Sequence, residues 1–288
     1  MCISIDGDNE DYNDIIETYR ARGLKIRVIN SKENGGPGMA RQRIIDTTQC
    51  DYIMFMDADD MLMPRAVEIL YTTAKAKNFD ILRSSFIREH NNKEDELIPQ
   101  NVKTITWFHG KIYKTAYLKE RNIRFLPGLY IDEDAYFNLL AWNSTQNRGE
   151  ITEVTYFWRY NKNSLTRKEN NKIYFLKTYK YYIYSQVEGL KNLFVINDSV
   201  ANSLITQTLL NIYYYYMTAK FYKDDTTYID ELISTLKQEQ WMQVYLNTGE
   251  NWFDIVTNVK AGTIYEQKYV VFYTEHFNEW AARLLKDG

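Results

Sequence analysis

The sequence predicts an α/β fold: a Rossmann-like mixed sheet flanked by helices, followed by an all-helical C-terminal domain. Three observations carry this. Short apolar runs that stop abruptly at turn or acidic residues, such as Tyr52 to Met56 running into Asp57-Ala58-Asp59-Asp60, read as buried strands. Between them lie stretches whose apolar residues recur at helical spacing. Near residue 170 the texture changes: all four prolines (Pro37, Pro64, Pro99, Pro127) precede that point and long helical patterns follow it. The predicted division is 1–170 and 171–288.

In chain order, Met1 to Ile5 is a predicted strand closed by the turn Asp6-Gly7-Asp8. Asn13 to Arg22, with Ile15, Ile16 and Tyr19 as its apolar positions, is a short amphipathic helix stopped by Gly23. Leu24 to Ile29 is a second strand. Asn34-Gly35-Gly36-Pro37-Gly38 then leads into a helix from about Met39 to Thr47. Glycines let backbone approach a ligand closely, and a helix start favours a phosphate. Arg41 and Gln42 stand in the first turn, within reach of a diphosphate or a sugar hydroxyl. Gly36-x-Gly38-x-x-Arg41 nearly fits a dinucleotide fingerprint, but an arginine at its third position would crowd helix–strand packing.

The strand Tyr52 to Met56 is read as central, and it delivers the acidic cluster to its carboxyl edge, where α/β sheets place ligand-facing residues. Asp57 and Asp59, one residue apart, can hold a hard divalent cation, Mn²⁺ or Mg²⁺, that grips a diphosphate. The plainer alternative is that Asp59 or Asp60 caps the helix that Pro64 opens. That helix runs to Lys77, and Asp80 to Ile87 is the next strand. Residues 88 to 98 read as an exposed hairpin tip or loop, and Thr104 to Phe108 as another strand. Trp107 is either a sugar-stacking platform or core; His109, beside Gly110, either faces an acceptor or closes a turn. Thr115 to Asn122 is a short helix, followed by a Pro127-Gly128 loop. A helix from Glu133 to Trp142 begins on Asp132-Glu133-Asp134. Carboxylates there suit a helix N-terminus in any case, and one of them facing a cleft can act as a general base. The residues alone do not choose among the three. Glu153 to Tyr160 alternates as a strand with an aromatic face of Tyr156, Trp158 and Tyr160. Arg159, Ser164 and Arg167 either reach over the cleft to a diphosphate or form a solvated strand end and loop.

Lys172 to Leu190, Ser199 to Tyr222 and Tyr228 to Gln240 read as helices, with Ser199 as an N-cap. Ile205, Leu209, Ile212, Tyr213 and Tyr216 form one stripe of the second. The run Tyr213 to Tyr216 covers its whole circumference, which predicts burial between layers or at an interface between copies. Tyr265 to Leu285 begins β-like and ends as a helix.

The totals exclude several classes. A net charge of −3 gives no general reason to bind nucleic acid. Two cysteines and three histidines rule out a disulfide scaffold or a Cys/His zinc module and fit a reducing compartment. There is no transmembrane-length apolar run and no signal-peptide pattern, so the expected location is cytoplasmic, or peripheral to a membrane.

Taken together, several blocks resemble family 2 glycosyltransferases of the GT-A fold. Asp57-Ala58-Asp59-Asp60 followed by Met-Leu-Met-Pro is similar to that family's metal-binding signature. Asn34 to Gln42 resembles its Asn-x-Gly and Ala-Arg-Asn stretch. Lys111-Ile112-Tyr113 and Glu133-Asp134 resemble its Lys-Leu-Tyr and Glu-Asp blocks. Tyr156 to Tyr160 with Ser164 to Arg167 resembles the segment that closes the catalytic domain. The resemblance implies inverting transfer of a sugar from a UDP-sugar, or another NDP-sugar, to an acceptor hydroxyl, on a glycan in the main reading. It implies that Asp6 contacts the uracil ring, that Asn34, Gly35, Gly36, Arg41, Asp57, Ala58 and Asp59 line the sugar nucleotide, that Asp57 and Asp59 hold the metal, and that Asp134 deprotonates the acceptor while Glu133 orients a neighbour or the sugar.

The family's earlier strand, with a Pro-x-Tyr-Asn motif and a helix after it, has no counterpart here. The expectation is either a truncated start or a sheet rebuilt without that strand. The alternative class is therefore a non-catalytic sugar-nucleotide-binding or interaction protein. A modified nucleic-acid base or a protein side chain is the alternative acceptor. The C-terminal helices serve the acceptor side or homo-oligomerisation.

Overall fold

A computed structural model describes residues 1–8, 10–91, 97–102, 104–161, 171–197 and 199–247. The chain divides into two compact units, Met1–Lys168 and Glu169–Gly288.

In the first unit, β1 (Cys2–Asp6) and β2 (Arg27–Ser31) form a parallel pair in which Cys2 faces Arg27 and Asp6 faces Ser31. The helix between them, α1 (Asn13–Ala21), buries only Ile16; Ile15 and Tyr19 are exposed, so its predicted apolar stripe narrows to one anchor. Next come α2 (Gly36–Thr47) and a larger sheet built from β3 (Tyr52–Ile53), β4 (Met61–Leu62), β5 (Ile81–Asn91), β6 (Leu97–Val102), β7 (Lys111–Lys114) and β8 (Arg148–Trp158). Its order is β3-β7-β5-β8-β4, with β6 paired to β5. β5 and β8 run parallel and the other ladders are antiparallel, so the sheet is mixed.

Two strand expectations are corrected. The run from Tyr52 pairs only through Ile53, and among the described residues it lies at an edge of the larger sheet rather than at its centre. Its continuation is held by a side chain: Phe55 is buried and packs edge-on against Phe108, Phe125 and Phe137. Thr104 to Phe108 is irregular, not a strand. Its carbonyls are taken by side chains, with Asn138 Nδ2 donating to Thr106 O at 2.8 Å and Lys111 Nζ donating to Trp107 O. Gly110, at φ 66°, turns the chain into β7. Of the two readings of 88 to 98, hairpin tip or loop, the antiparallel pairing of β5 with β6 favours the hairpin; residues 92–96 lie outside the described residues.

Successive residues of a strand face opposite sides, and β7 uses this. Ile112 packs with Leu70 and Ala74 of α3 (Ala66–Lys77) and with Leu82. Tyr113 faces the other way, toward α5 (Glu133–Asn143), where its hydroxyl donates to Asn138 Oδ1 at 2.6 Å. Helices thus cover both faces. The short α4 (Thr115–Glu120) follows β7 directly.

The second unit is helical over its described residues: α6 (Asn171–Ile196), α7 (Asn202–Phe221), α8 (Thr227–Lys237) and α9 (Gln240–Leu246). The predicted stripe Ile205, Leu209, Ile212, Tyr213 and Tyr216 is buried, against Tyr179, Ile183 and Val187 of α6 and Ile229, Ile233 and Leu236 of α8. Tyr214 and Tyr215 are partly buried against the same core, so the tyrosine run packs on several sides within the unit. Ser199 is not the N-cap: the amides of Leu204 and Ile205 bond to Ala201 O, which places the cap at Ala201. The expected single helix Tyr228 to Gln240 breaks after Lys237, where Glu239 is extended and starts α9. Tyr265 to Leu285 lies outside the described residues. No helix among the described residues is long and apolar enough to cross a membrane.

Candidate active site

The site is assembled around Arg41, in the second turn of α2. Its guanidinium donates to Asp57 on one side and to Glu133 Oε1 at 2.6 Å on the other. It also lies 4.7 Å from the Phe108 ring centroid. Burial alone would lower the Arg41 pKa, but Asp57 and Glu133 outweigh it and hold the pKa above its ordinary value. One cation therefore joins the acidic loop after β3 to the helix that carries Asp134. Gly38 permits this closeness: a Cβ there would come within 3.2 Å of Phe125 and 3.3 Å of Glu133.

The start of α2 is tied to β1. Gly35 N donates to Asp6 Oδ1 at 3.1 Å and Arg43 Nη1 donates to the same oxygen at 2.7 Å, while Gly36 N donates to Asn34 Oδ1 at 3.1 Å. A nucleobase contact by Asp6 would therefore fall to Oδ2. Gly36 sits at φ 83°, in the left-handed region, and a Cβ there would lie 2.6 Å from Tyr130 Cδ1. The exposed Tyr130 ring can swing aside, but the backbone angle cannot be relieved. Gly36→Ala is expected to destabilise the first unit by about 1–2 kcal/mol in chemical denaturation. An unchanged midpoint would show that the loop re-forms.

The three acids after β3 diverge. Asp57 pairs with Arg41, and its amide receives Tyr156 Oη at 3.2 Å as its acceptor. Ala58 lies between Asp57 and Asp59 in the tight turn closed by Asp60 N donating to Asp57 O at 3.2 Å. Asp59 is exposed, and its Oδ2 accepts from Asn161 Nδ2 at 2.9 Å. Asp60 is buried; Oδ2 accepts from Tyr156 Oη at 2.6 Å and Oδ1 from Arg159 N at 3.0 Å. Burial pushes the Asp60 carboxyl up to about 6, against the lowering effect of these two donors. Arg159 therefore contributes its backbone here, and its side chain is exposed. Ser164 and Arg167 lie outside the described residues.

His109 stands behind Asp60, with Nε2 3.8 Å from Asp60 Oδ2. Its ring packs among Phe86, Trp107, Tyr156 and Trp158, with centroids 4.7–6.0 Å away. Burial lowers its pKa to about 4, so the imidazole is neutral near pH 7. Trp107 is half-buried in this cluster, 5.1 Å from Trp158, and serves as packing at least in part. Asp57, Asp60 and His109 offer ligand atoms within 4.8 Å of one another. Two carboxylates and a neutral imidazole suit a divalent cation of the Mn²⁺ kind.

At the start of α5, Asp132 adopts φ 61°, Glu133 turns to Arg41, and Asp134 keeps part of its surface open to solvent while lying deep among protein atoms. Burial, followed by the charges of Glu133 and Asp132, raises the Asp134 carboxyl to about 8. Burial likewise raises Asp132 to about 7. Beneath them, the fully buried Lys111 is lowered by burial to about 7, with Asp134 acting in the opposite sense. A part-open carboxylate with a raised pKa has the properties of a general base.

The sequence reading missed Asp60, Tyr156 and Arg43 as structural members of this site. Tyr156 was visible as one position of an aromatic strand and of the closing block, with nothing to show that its hydroxyl reaches 96 residues back to Asp60.

Residues 1–130 match the family model described as glycosyl transferase family 2. A curated relative, the uncharacterized glycosyltransferase EpsJ of Bacillus subtilis (strain 168), is 26% identical over 181 residues, covering 56% of this chain and 52% of EpsJ. The poly(ribitol-phosphate) beta-glucosyltransferase of Bacillus spizizenii is 25% identical over 170 residues, covering 54% of this chain and 26% of that protein. The chain thus spans about half the length of the first relative and about a quarter of the second. Among solved structures, S. aureus TarS 1–349 superposes with TM-score 0.61 at 15% identity, covering 97% of this chain and 82% of that one. The same TarS fragment in complex with UDP-GlcNAc gives 0.60. The fold is GT-A-like, and residues 1–130 resemble glycosyl transferase family 2 as that family's model describes it.

Proposed function

We propose that the chain transfers a sugar from a UDP-sugar, or another nucleoside-diphosphate sugar, to an acceptor hydroxyl on a glycan or similar polyhydroxylated chain, with inversion at the anomeric carbon. The observation that carries this is the buried Arg41 joined to both Asp57 and Glu133, which supports reading the acidic loop after β3 and the start of the helix that carries Asp134 as one site. Support for the donor comes from TarS, which shares the fold and has been solved with UDP-GlcNAc. The name of the Bacillus spizizenii relative supports a polyhydroxylated acceptor.

In this reading Asp6 and the Asn34–Gly36 turn receive the nucleotide, Arg41 faces the donor, and Asp134 removes the acceptor proton as the hydroxyl attacks the face opposite the diphosphate. Glu133 holds Arg41 in place. Asp57 and Asp59 hold Mn²⁺ or Mg²⁺, which when bound supplies Lewis-acid stabilisation of the departing diphosphate. Trp107, Arg159, Ser164 and Arg167 are assigned to the acceptor or diphosphate side, and the helical unit to acceptor binding or self-association. Calorimetry with UDP is expected to show affinity that increases with Mn²⁺ in the wild type and loses that increase in Asp59→Ala. No affinity for UDP, GDP or any other nucleoside diphosphate under either condition would overturn the proposal; an unchanged metal effect would remove Asp59 from the metal site.

A further inference from the structure

His109 is a buried imidazole without a hydrogen-bond partner of its own. Its side chain is 9% exposed, Nδ1 has no partner, and its ring is enclosed by Phe86, Trp107, Tyr156 and Trp158. A buried ring nitrogen left unsatisfied costs about 1–3 kcal/mol. The other ring nitrogen, Nε2, faces Asp60. The separation there, 3.8 Å from Nε2 to Asp60 Oδ2, is too long for a hydrogen bond. It suits two ligands of one ion, since bonds of about 2.1 Å place neighbouring donors about 3–4.2 Å apart.

The carboxylate opposite is prepared in the manner of a metal ligand. Asp60 is oriented by Tyr156 Oη at 2.6 Å and by Arg159 N at 3.0 Å, and the same tyrosine hydroxyl accepts from Asp57 N at 3.2 Å. Outer contacts of this kind fix the direction of ligating carboxylates. Asp57 closes the group, with all three ligand atoms within 4.8 Å of one another.

We propose that His109 is a nitrogen ligand of the divalent ion, entering with Asp60 from the buried side of Asp57 and thereby selecting Mn²⁺ or another first-row transition ion over Mg²⁺. Magnesium prefers an all-oxygen shell, whereas imidazole suits transition ions. The inference rests on the metal-dependent reading above and adds the ligand that decides which metal is used.

The test reads the ion directly and needs no turnover. Mn²⁺ bound to the full chain, with and without UDP, is examined by electron spin-echo modulation for coupling to nitrogen-14. Mn²⁺ and Mg²⁺ affinities are measured in parallel by calorimetry. The expected results are a nitrogen coupling in the wild type and Mn²⁺ affinity at least tenfold above that for Mg²⁺. In His109→Gln the coupling should vanish and the ratio should fall by fivefold or more, with Mg²⁺ affinity little changed. Tight Mn²⁺ binding without nitrogen coupling in the wild type overturns this inference and leaves the metal-dependent reading standing. Mg²⁺ binding without Mn²⁺ binding overturns this inference alone, and binding of neither ion, with or without UDP, overturns both. The wild-type spectrum decides the matter even where His109→Gln fails to fold.

Discussion

Asp134→Asn is expected to bind UDP as the wild type does and to lose transfer by a factor of about 10²–10⁴, the usual contribution of a general base. Asparagine keeps the shape of the side chain and removes only its ability to take the acceptor proton. The wild type should show the pH dependence that this role requires. A base works deprotonated, and burial raises the Asp134 carboxyl to about 8, so kcat/KM should rise with pH and level off above that value. Stability should move the opposite way. The folded chain holds a proton on Asp134 that the unfolded chain releases from 3.8 upward, so unfolding free energy falls as pH rises between 3.8 and about 8. Asp132, raised to about 7, adds to this in the same direction. Asp134→Asn removes the penalty and should stabilise the first unit at neutral pH, by on the order of 1 kcal/mol. Normal turnover by the variant would end the base assignment. Lost turnover with a lowered melting temperature would point instead to simple structural damage.

Arg41→Met should produce the largest loss of stability, about 3 kcal/mol in urea unfolding of the first unit. The methionine leaves Glu133, whose side chain is only 11% exposed, as a buried charge without its partner. It also removes the cation 4.7 Å from the Phe108 ring. Asp57 adds less, because its side chain is 46% exposed and solvent screens it. The double variant Arg41→Met, Glu133→Gln should recover most of the loss, since the unpaired charge is then absent. Arg41→Lys should recover little, because a single ammonium cannot reach two carboxylates on opposite sides as a fork does. A loss below about 1 kcal/mol for Arg41→Met would mean that the two acids are solvated and that the bridge does not organise the site.

The sequence alone determined the class of fold, the order of most elements and the change to helices near residue 170, because those depend on local apolar spacing. The stripe Ile205, Leu209, Ile212, Tyr213 and Tyr216 predicted a buried face, and all five residues are buried. The acidic cluster, the glycine turn and the Glu133-Asp134 pair were each visible as blocks that suit ligand chemistry. Only the tertiary structure decided how they meet. Arg41 reaches 16 residues forward to Asp57 and 92 residues forward to Glu133, distances along the chain over which no local pattern carries information. The same holds for Asp60, which the sequence offered only as a helix cap or as part of the acidic block and which Tyr156 and Arg159 N hold in the structure. Periodicity also misjudged Thr104 to Phe108, whose alternation suggests a strand although buried side chains of Lys111 and Asn138 take the carbonyls a ladder would need. Burial set the proton affinities of Asp134 and His109, and burial is a property of the packed whole rather than of any stretch of residues.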